Sequence, residues 1–195
     1  MPDSKLTIAE AAIDYARAGW KVLPVDARSK RPRTRHGVLD ASDDPSQVLA
    51  WWREWPDAAI ATPTGNGLLV IDIDPRNGGF VQDWMPKTRA ARTQSGGLHL
   101  HYRINDDIKS RANLFGPGID SKCKGGYVLI PPSPGYAWRE EPLATISRDY
   151  LENFVNFELF PSGTQGGAAR KHPQDWHSGM IQDQVIAWAS WLALD

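Results

Sequence analysis

Leu68-Leu69-Val70-Ile71-Asp72-Ile73-Asp74 is the stretch on which the fold turns. An apolar run passing into Asp-Ile-Asp predicts a strand over 68–74. Side chains alternate across a strand, so Asp72 and Asp74 share one face while Ile71 and Ile73 turn to the core. Two carboxylates held that close repel each other and favour a cation. Hard oxygen donors at this spacing suit Mg2+ or Mn2+. Taken alone, the same Asp-x-Asp is also how a strand ends in water with two hydrated acids.

Upstream, residues 7–18 predict a helix, with Thr7 as cap, Glu10 completing a capping box and Gly19 as the stop. Residues 20–25 predict a short strand. The loop RSKRPRTRHG (28–37) carries Arg28, Lys30, Arg31, Arg33 and Arg35 with no acid among them. Asp44 and Pro45 open a second helix with Val48, Leu49, Trp52 and Trp55 as its stripe, and Pro56 closes it. The spacing of Trp51, Trp52 and Trp55 reads as core, and an exposed ring stacking on a base is the alternative. A short strand follows at 58–61.

Downstream, Asn77-Gly78-Gly79 predicts a turn and a short helix through Trp84. Strands at 89–94 and 98–104 are joined at Ser95-Gly96-Gly97, and a strand at 127–130 is closed by prolines. Strands and helices mix without βαβ alternation, which predicts an α/β (α+β) fold with antiparallel pairing.

The chain has 195 residues, and its balance of 41% apolar and 23% charged residues is that of a globular protein. It excludes a wholly disordered chain and a membrane bundle. The longest apolar stretch, 185–194, is half of the ~20 residues a bilayer requires. The opening MPDSKLTIAE offers no secretory core, and a cytoplasmic location is expected. Cys123 is the one cysteine, so an internal disulfide and a zinc ribbon are both excluded. A net charge of −1 confines any nucleic-acid contact to a local patch. Residues 1–160 read as one domain and 161–175 as a linker. Residues 176–195 read as a helix with Ile181, Val185, Trp188 and Leu192 on its stripe, either docking back or opening a longer region.

A second motif, TQSGGLHLHY (93–102), puts His99, His101 and Arg103 on one strand face. Its glycines let a ligand approach and leave amides for phosphate, and an imidazole beside them holds phosphate or metal. His101 by itself reads as a surface histidine. The third motif is GIDSKCKGGYVLIPPS (118–133). Asp120 offers a third carboxylate and Lys122 a point charge for phosphate. Alone, it is a turn with an acid.

Together, in this order, the three motifs resemble the bifunctional primase–polymerase (prim-pol) family of the archaeo-eukaryotic primase superfamily, found mostly in phage and plasmid replication proteins. The front end, AxxYAxxGWKVLPV followed by a basic Lys-x-Pro loop and His-Gly, is similar as well, so the likeness spans roughly 7–140. The resemblance implies an antiparallel RRM-like catalytic sheet with an N-terminal α/β layer packed against it. It implies that Asp72, Asp74 and Asp120 hold two Mg2+ or Mn2+ ions. It places His99 on the phosphates of the incoming nucleotide with Ser95, Gly96 and Gly97 beside it, and Lys30 and Lys122 near the site. The implied activity is template-dependent nucleotidyl transfer, DNA polymerase and primer synthesis, on nucleoside triphosphates and a DNA template or primer. A helicase region is the implied companion, and no membrane is involved. Two dications against three carboxylates leave the site short of negative charge, which a triphosphate supplies. The basic loop would then meet template or triphosphate, unless it is only a solvated stretch. Some relatives carry a cysteine-rich zinc insertion, and this chain cannot.

Two rival readings remain open at this level. A rolling-circle initiator or relaxase would pair His99 with His101 on one metal and attack DNA with Tyr150, leaving the three acids without a role. A catalytically idle nucleotide-binding module would keep the fold alone.

Overall fold

A computed structural model describes residues 7–139 and 141–155. In chain order these form α1 (Ile8–Arg17), β1 (Leu23–Val25), α2 (Pro45–Glu54), β2 (Ala59–Pro63) and β3 (Leu68–Ile73). There follow β4 (Ala90–Arg92), β5 (Leu98–Arg103), β6 (Ile119–Lys122), β7 (Tyr127–Leu129), β8 (Ala137–Arg139), β9 (Ala144–Thr145) and α3 (Arg148–Glu152). Single 3-10 turns lie at Gly37–Asp40 and Pro75–Asn77.

Local chemistry accounts for both long helices. The Thr7 hydroxyl accepts the Glu10 N–H while the Glu10 carboxylate accepts the Thr7 N–H, the capping box expected for α1. Gly19 leaves the helix at a φ of +81°, which an L side chain resists. In α2 the Asp44 carboxylate accepts the Ser46 N–H, and Pro45 occupies the first turn, where its missing N–H costs nothing.

The strands form two sheets. β1, β2 and β7 make a small antiparallel sheet, and a larger one runs β6-β3-β5-β4-β8 with every pair antiparallel. β9 lies parallel to the end of β5. The fold is therefore α+β with antiparallel sheets. On one face of the larger sheet, Leu69, Ile71, Ile73, Leu98, Leu100 and Tyr102 pack with Met85, Phe115 and Leu151. On the other face Val70 joins Ala12 of α1, Trp52 of α2 and Ile60 of the small sheet. Each aliphatic side chain buried this fully contributes roughly 1.5–3 kcal/mol, which is what holds the layers together.

Polar bonds fix how the layers meet. The Tyr15 hydroxyl donates to the Pro131 carbonyl (2.6 Å) and accepts from the Trp138 indole N–H (2.6 Å). Buried Ser133 reaches back to Ile60, accepting its N–H (2.8 Å) and donating to its carbonyl (3.1 Å). The Pro-Pro-Ser motif thus serves as a clasp on β2.

Some expectations need correction. No helix runs through Trp84: the chain turns at 83–85, and Trp84 and Met85 act as single anchors against the core, too near Pro86 to continue a helix. Residues 119–122, which alone read as a turn, are strand β6, because β3 supplies the ladder that the segment lacks by itself. β8 and β9 are too short to register as strand patterns. The basic loop is folded, since the Asp26 carboxylate accepts the Arg28 and Ser29 N–H groups and Arg33 pairs with Asp26 and Asp57. The linker at 161–175 and the helix at 176–195 lie outside the described residues. Among the described residues no helix is long and apolar enough to cross a membrane.

Ser133→Ala should lower the unfolding free energy by roughly 1–3 kcal/mol, the cost of a buried Ile60 N–H left without an acceptor. Urea denaturation measures it, and a variant as stable as the wild type would remove the clasp role.

Candidate active site

The ladder on both sides of β3 builds the site. Asp72 lies directly opposite Asp120 of β6 on one side and opposite His99 of β5 on the other. Directly opposed residues in a sheet project to the same face. Asp120, Asp72 and His99 therefore form one row on the face turned toward the small sheet. Asp74 follows just past the end of β3, where its N–H bonds the Gly118 carbonyl (2.8 Å). Asp72, Asp74 and Asp120 line a single cleft of about 450 Å3, with Asn77 and Asn113 beside them.

Positive charge already sits among these acids. The Lys122 ammonium is 2.8 Å from Asp120 and 3.8 Å from Asp72. Arg76 grips Asp74 with two nitrogens (3.0 and 2.9 Å), and the Asn77 amide adds a third contact (3.0 Å). The His99 Nε2 stands 3.5 Å from Asp72. Lys30 adopts a φ of +59°, its N–H bonded to the Asp26 carbonyl and its carbonyl to the Tyr127 hydroxyl. From there its charge bears on Asp72, Asp74 and His99.

Burial raises the Asp72 pKa; Lys122 opposes the rise, and Asp120 and Asp74 add to it. The hydrogen bonds from Arg76 hold Asp74 below its ordinary value. Burial pushes His99 down to about 4, opposed by the nearby Leu129 carbonyl, so its imidazole is neutral at pH 7. The donor set suits divalent cations, being three hard anionic oxygens that already attract an ammonium and a guanidinium. As arranged, no three acidic, histidine or cysteine side chains among the described residues surround one point as metal ligands do. As arranged, Lys122 and Arg76 occupy the carboxylates that a cation would use.

The glycine turn differs from expectation. The Gly96 N–H donates to the Thr93 carbonyl (3.0 Å) and the Gly97 N–H to the Thr93 hydroxyl (3.0 Å), so neither amide is left for phosphate. The Ser95 hydroxyl also meets Thr93 (3.1 Å). Gly97 is required for a different reason: a Cβ there would collide with the Ile73 carbonyl, between Asp72 and Asp74. His101 is not a surface residue. It is fully buried, its Nδ1 bonded to the His99 carbonyl (3.0 Å) and its ring 5.0 Å from that of Trp138.

This burial also removes the relaxase arrangement. Tyr150 packs with the apolar cluster on the opposite face of the larger sheet, and its hydroxyl is bonded to the Trp84 carbonyl. Asn113 went unnoticed in the sequence. At a φ of +53°, which asparagine tolerates better than most residues, its N–H donates to Asp120 (2.8 Å) and its side-chain oxygen accepts from Gly118 (2.8 Å).

Residues 12–152 match the family described as bifunctional DNA primase/polymerase, N-terminal (Prim-Pol), a span that includes both sheets' main strands and every residue of the cleft. No individual curated protein matches the chain.

Burial holds the His101 pKa down to about 3, against an ordinary value of 6.5. As pH falls below 6.5 the unfolded chain takes up a proton here that the folded chain refuses, so stability declines with acid until about pH 3. In His101→Phe, denaturant unfolding between those limits should lose one proton's worth of slope, roughly 1.4 kcal/mol per pH unit. An unchanged acid slope would show that the ring is protonated in the folded protein.

Proposed function

Because this chain belongs to the Prim-Pol family of bifunctional DNA primase/polymerase domains, we propose that it is a template-dependent nucleotidyltransferase working at the cleft of Asp72, Asp74 and Asp120. Family membership carries a primase/polymerase-type function, with DNA and nucleotides as ligands and divalent metals in general use. The finer reading goes further: strand extension and primer synthesis from nucleoside triphosphates, with Mg2+ or Mn2+ held by these three acids. The observation that carries it is the cross-strand placement of Asp120 beside Asp72, two acids distant in the chain and partly buried side by side.

Two divalent ions bound there would stabilise the attacking 3′-hydroxyl and the leaving pyrophosphate. Asp72 and Asp120, opposed on adjacent strands, would hold them, with Asp74 joining from the strand end. Lys122, freed from the acids, stays within reach as a cation for the triphosphate. Lys30 adds positive charge from the folded loop across the cleft. His99 keeps a neutral ring beneath Asp72, donating one N–H to that carboxylate or to a phosphate oxygen seated above it. Ser95 contributes its hydroxyl at the mouth of β5, while Gly96 and Gly97 shape the turn that lets β5 approach β3. A helicase region acting with this domain would supply the single strand it copies.

Asp72→Asn and Asp120→Asn preserve shape and remove one charge each. Primer extension with Mg2+ or Mn2+ should fall at least about 100-fold in either variant, with circular dichroism unchanged. Extension at the wild-type rate by either variant would overturn the site, and absence of de novo products from the wild type would remove primer synthesis.

A further inference from the structure

We propose a second nucleic-acid subsite: a polar pocket against α2 that seats one unpaired base of a single strand leaving the acid cleft. This rests on the transferase reading of that cleft. The pocket has a volume of about 460 Å3 and is lined by Thr34, Arg35, Asp40, Gln47, Trp51 and Trp55, among others. The basic loop and the tryptophan stripe of α2, which the chemistry of the acids leaves without a complete role, meet here.

The basic loop bears on both sites, because the charge of Lys30 reaches the acids and Arg35 lines the pocket. From Lys30, whose charge reaches the acids, the chain folds back along β1, with Pro32 paired to Val25 and Ser42 to Val22. These two bridges lie three residues apart on β1, roughly 10 Å at the rise of a strand, and they carry the loop from Lys30 toward the pocket wall at Ser42. Arg28, Lys30, Arg31 and Arg35 are exposed on this loop, and none of them forms an ion pair among the described residues. Arg33 is committed to Asp26 and Asp57, which fixes the loop and leaves the others facing outward. Four cations without acids suit a phosphate backbone.

The pocket itself suits a base. Trp51 and Trp52 are core, as their spacing predicts, but Trp55 is only half-buried and offers an indole surface. The Gln47 amide is exposed and makes no hydrogen bond among the described residues, leaving both a donor and an acceptor for a base edge. Asp40 is held by the His36 N–H (2.7 Å) and ring (2.9 Å), so its carboxylate stays fixed on the pocket wall as an acceptor for an exocyclic amine. Leu39, next to Asp40 in the chain, is 85% exposed. A paired base hides its edge and both faces within the helix, whereas an unpaired base can enter.

The test is equilibrium binding of the full chain to a labelled single strand of mixed sequence and to the same strand with abasic sites. Wild type should prefer the base-bearing strand. Arg35→Ala combined with Gln47→Ala should bind that strand about tenfold more weakly and lose the preference. Trp55→Phe should lose part of the tryptophan quenching that the base-bearing strand produces in wild type. Wild-type affinity in the double variant, a retained preference, or equal weakening on both strands overturns the subsite. Loss of triphosphate binding in place of strand binding overturns it too. Asp72→Asn should keep the base preference while losing extension, so failure of the catalytic reading and failure of the subsite are told apart.

Discussion

The backbone ladder that holds β3 between β6 and β5 is the constraint on which the rest of the molecule depends. Its register sets Asp120, Asp72 and His99 side by side, and a slip of one residue would send Asp72 into the apolar cluster on the far face. That slip is blocked because Leu69, Ile71 and Ile73 bury completely on one side while Val70 buries on the other. The same apolar contacts that stabilise the sheet therefore aim the acids. Glycine at position 97 lets β5 begin close against the Ile73 carbonyl, between Asp72 and Asp74.

Placing two carboxylates opposite each other in a sheet is unfavourable, and burial makes it more so. The folded chain offsets the cost with its own cations. Lys122, one alternation along β6 from Asp120, bridges to Asp72, and Arg76 closes on Asp74. These contacts leave the cleft with an ammonium and a guanidinium already seated among its acids. Neutral His99 adds no competing charge to the row.

Much of this was legible along the chain. The cap at Thr7, the proline start of α2, the strand at β3 and the hairpin of β4 and β5 all follow from residues within a few positions of each other. What stayed hidden was set by partners far away. β6 has too little apolar pattern to announce itself and is a strand because β3 lies beside it. His101 alternates with His99 and looks equally exposed, yet Trp138, almost forty positions on, covers it. The Gly96 and Gly97 amides face no ligand because Thr93 takes both.

Which residues are acids, which alternate with apolar neighbours and which turns need glycine can be read along the chain, because periodicity and backbone propensity are local properties. It carried the family's motifs in order, and with them the general kind of chemistry. That positions 72 and 120 are neighbours, that Lys122 stands between them, and that an arginine loop and a tryptophan helix share one pocket came from the packing of the layers. Those facts depend on strand register and layer packing, which bring together groups dozens of residues apart and which no local pattern encodes.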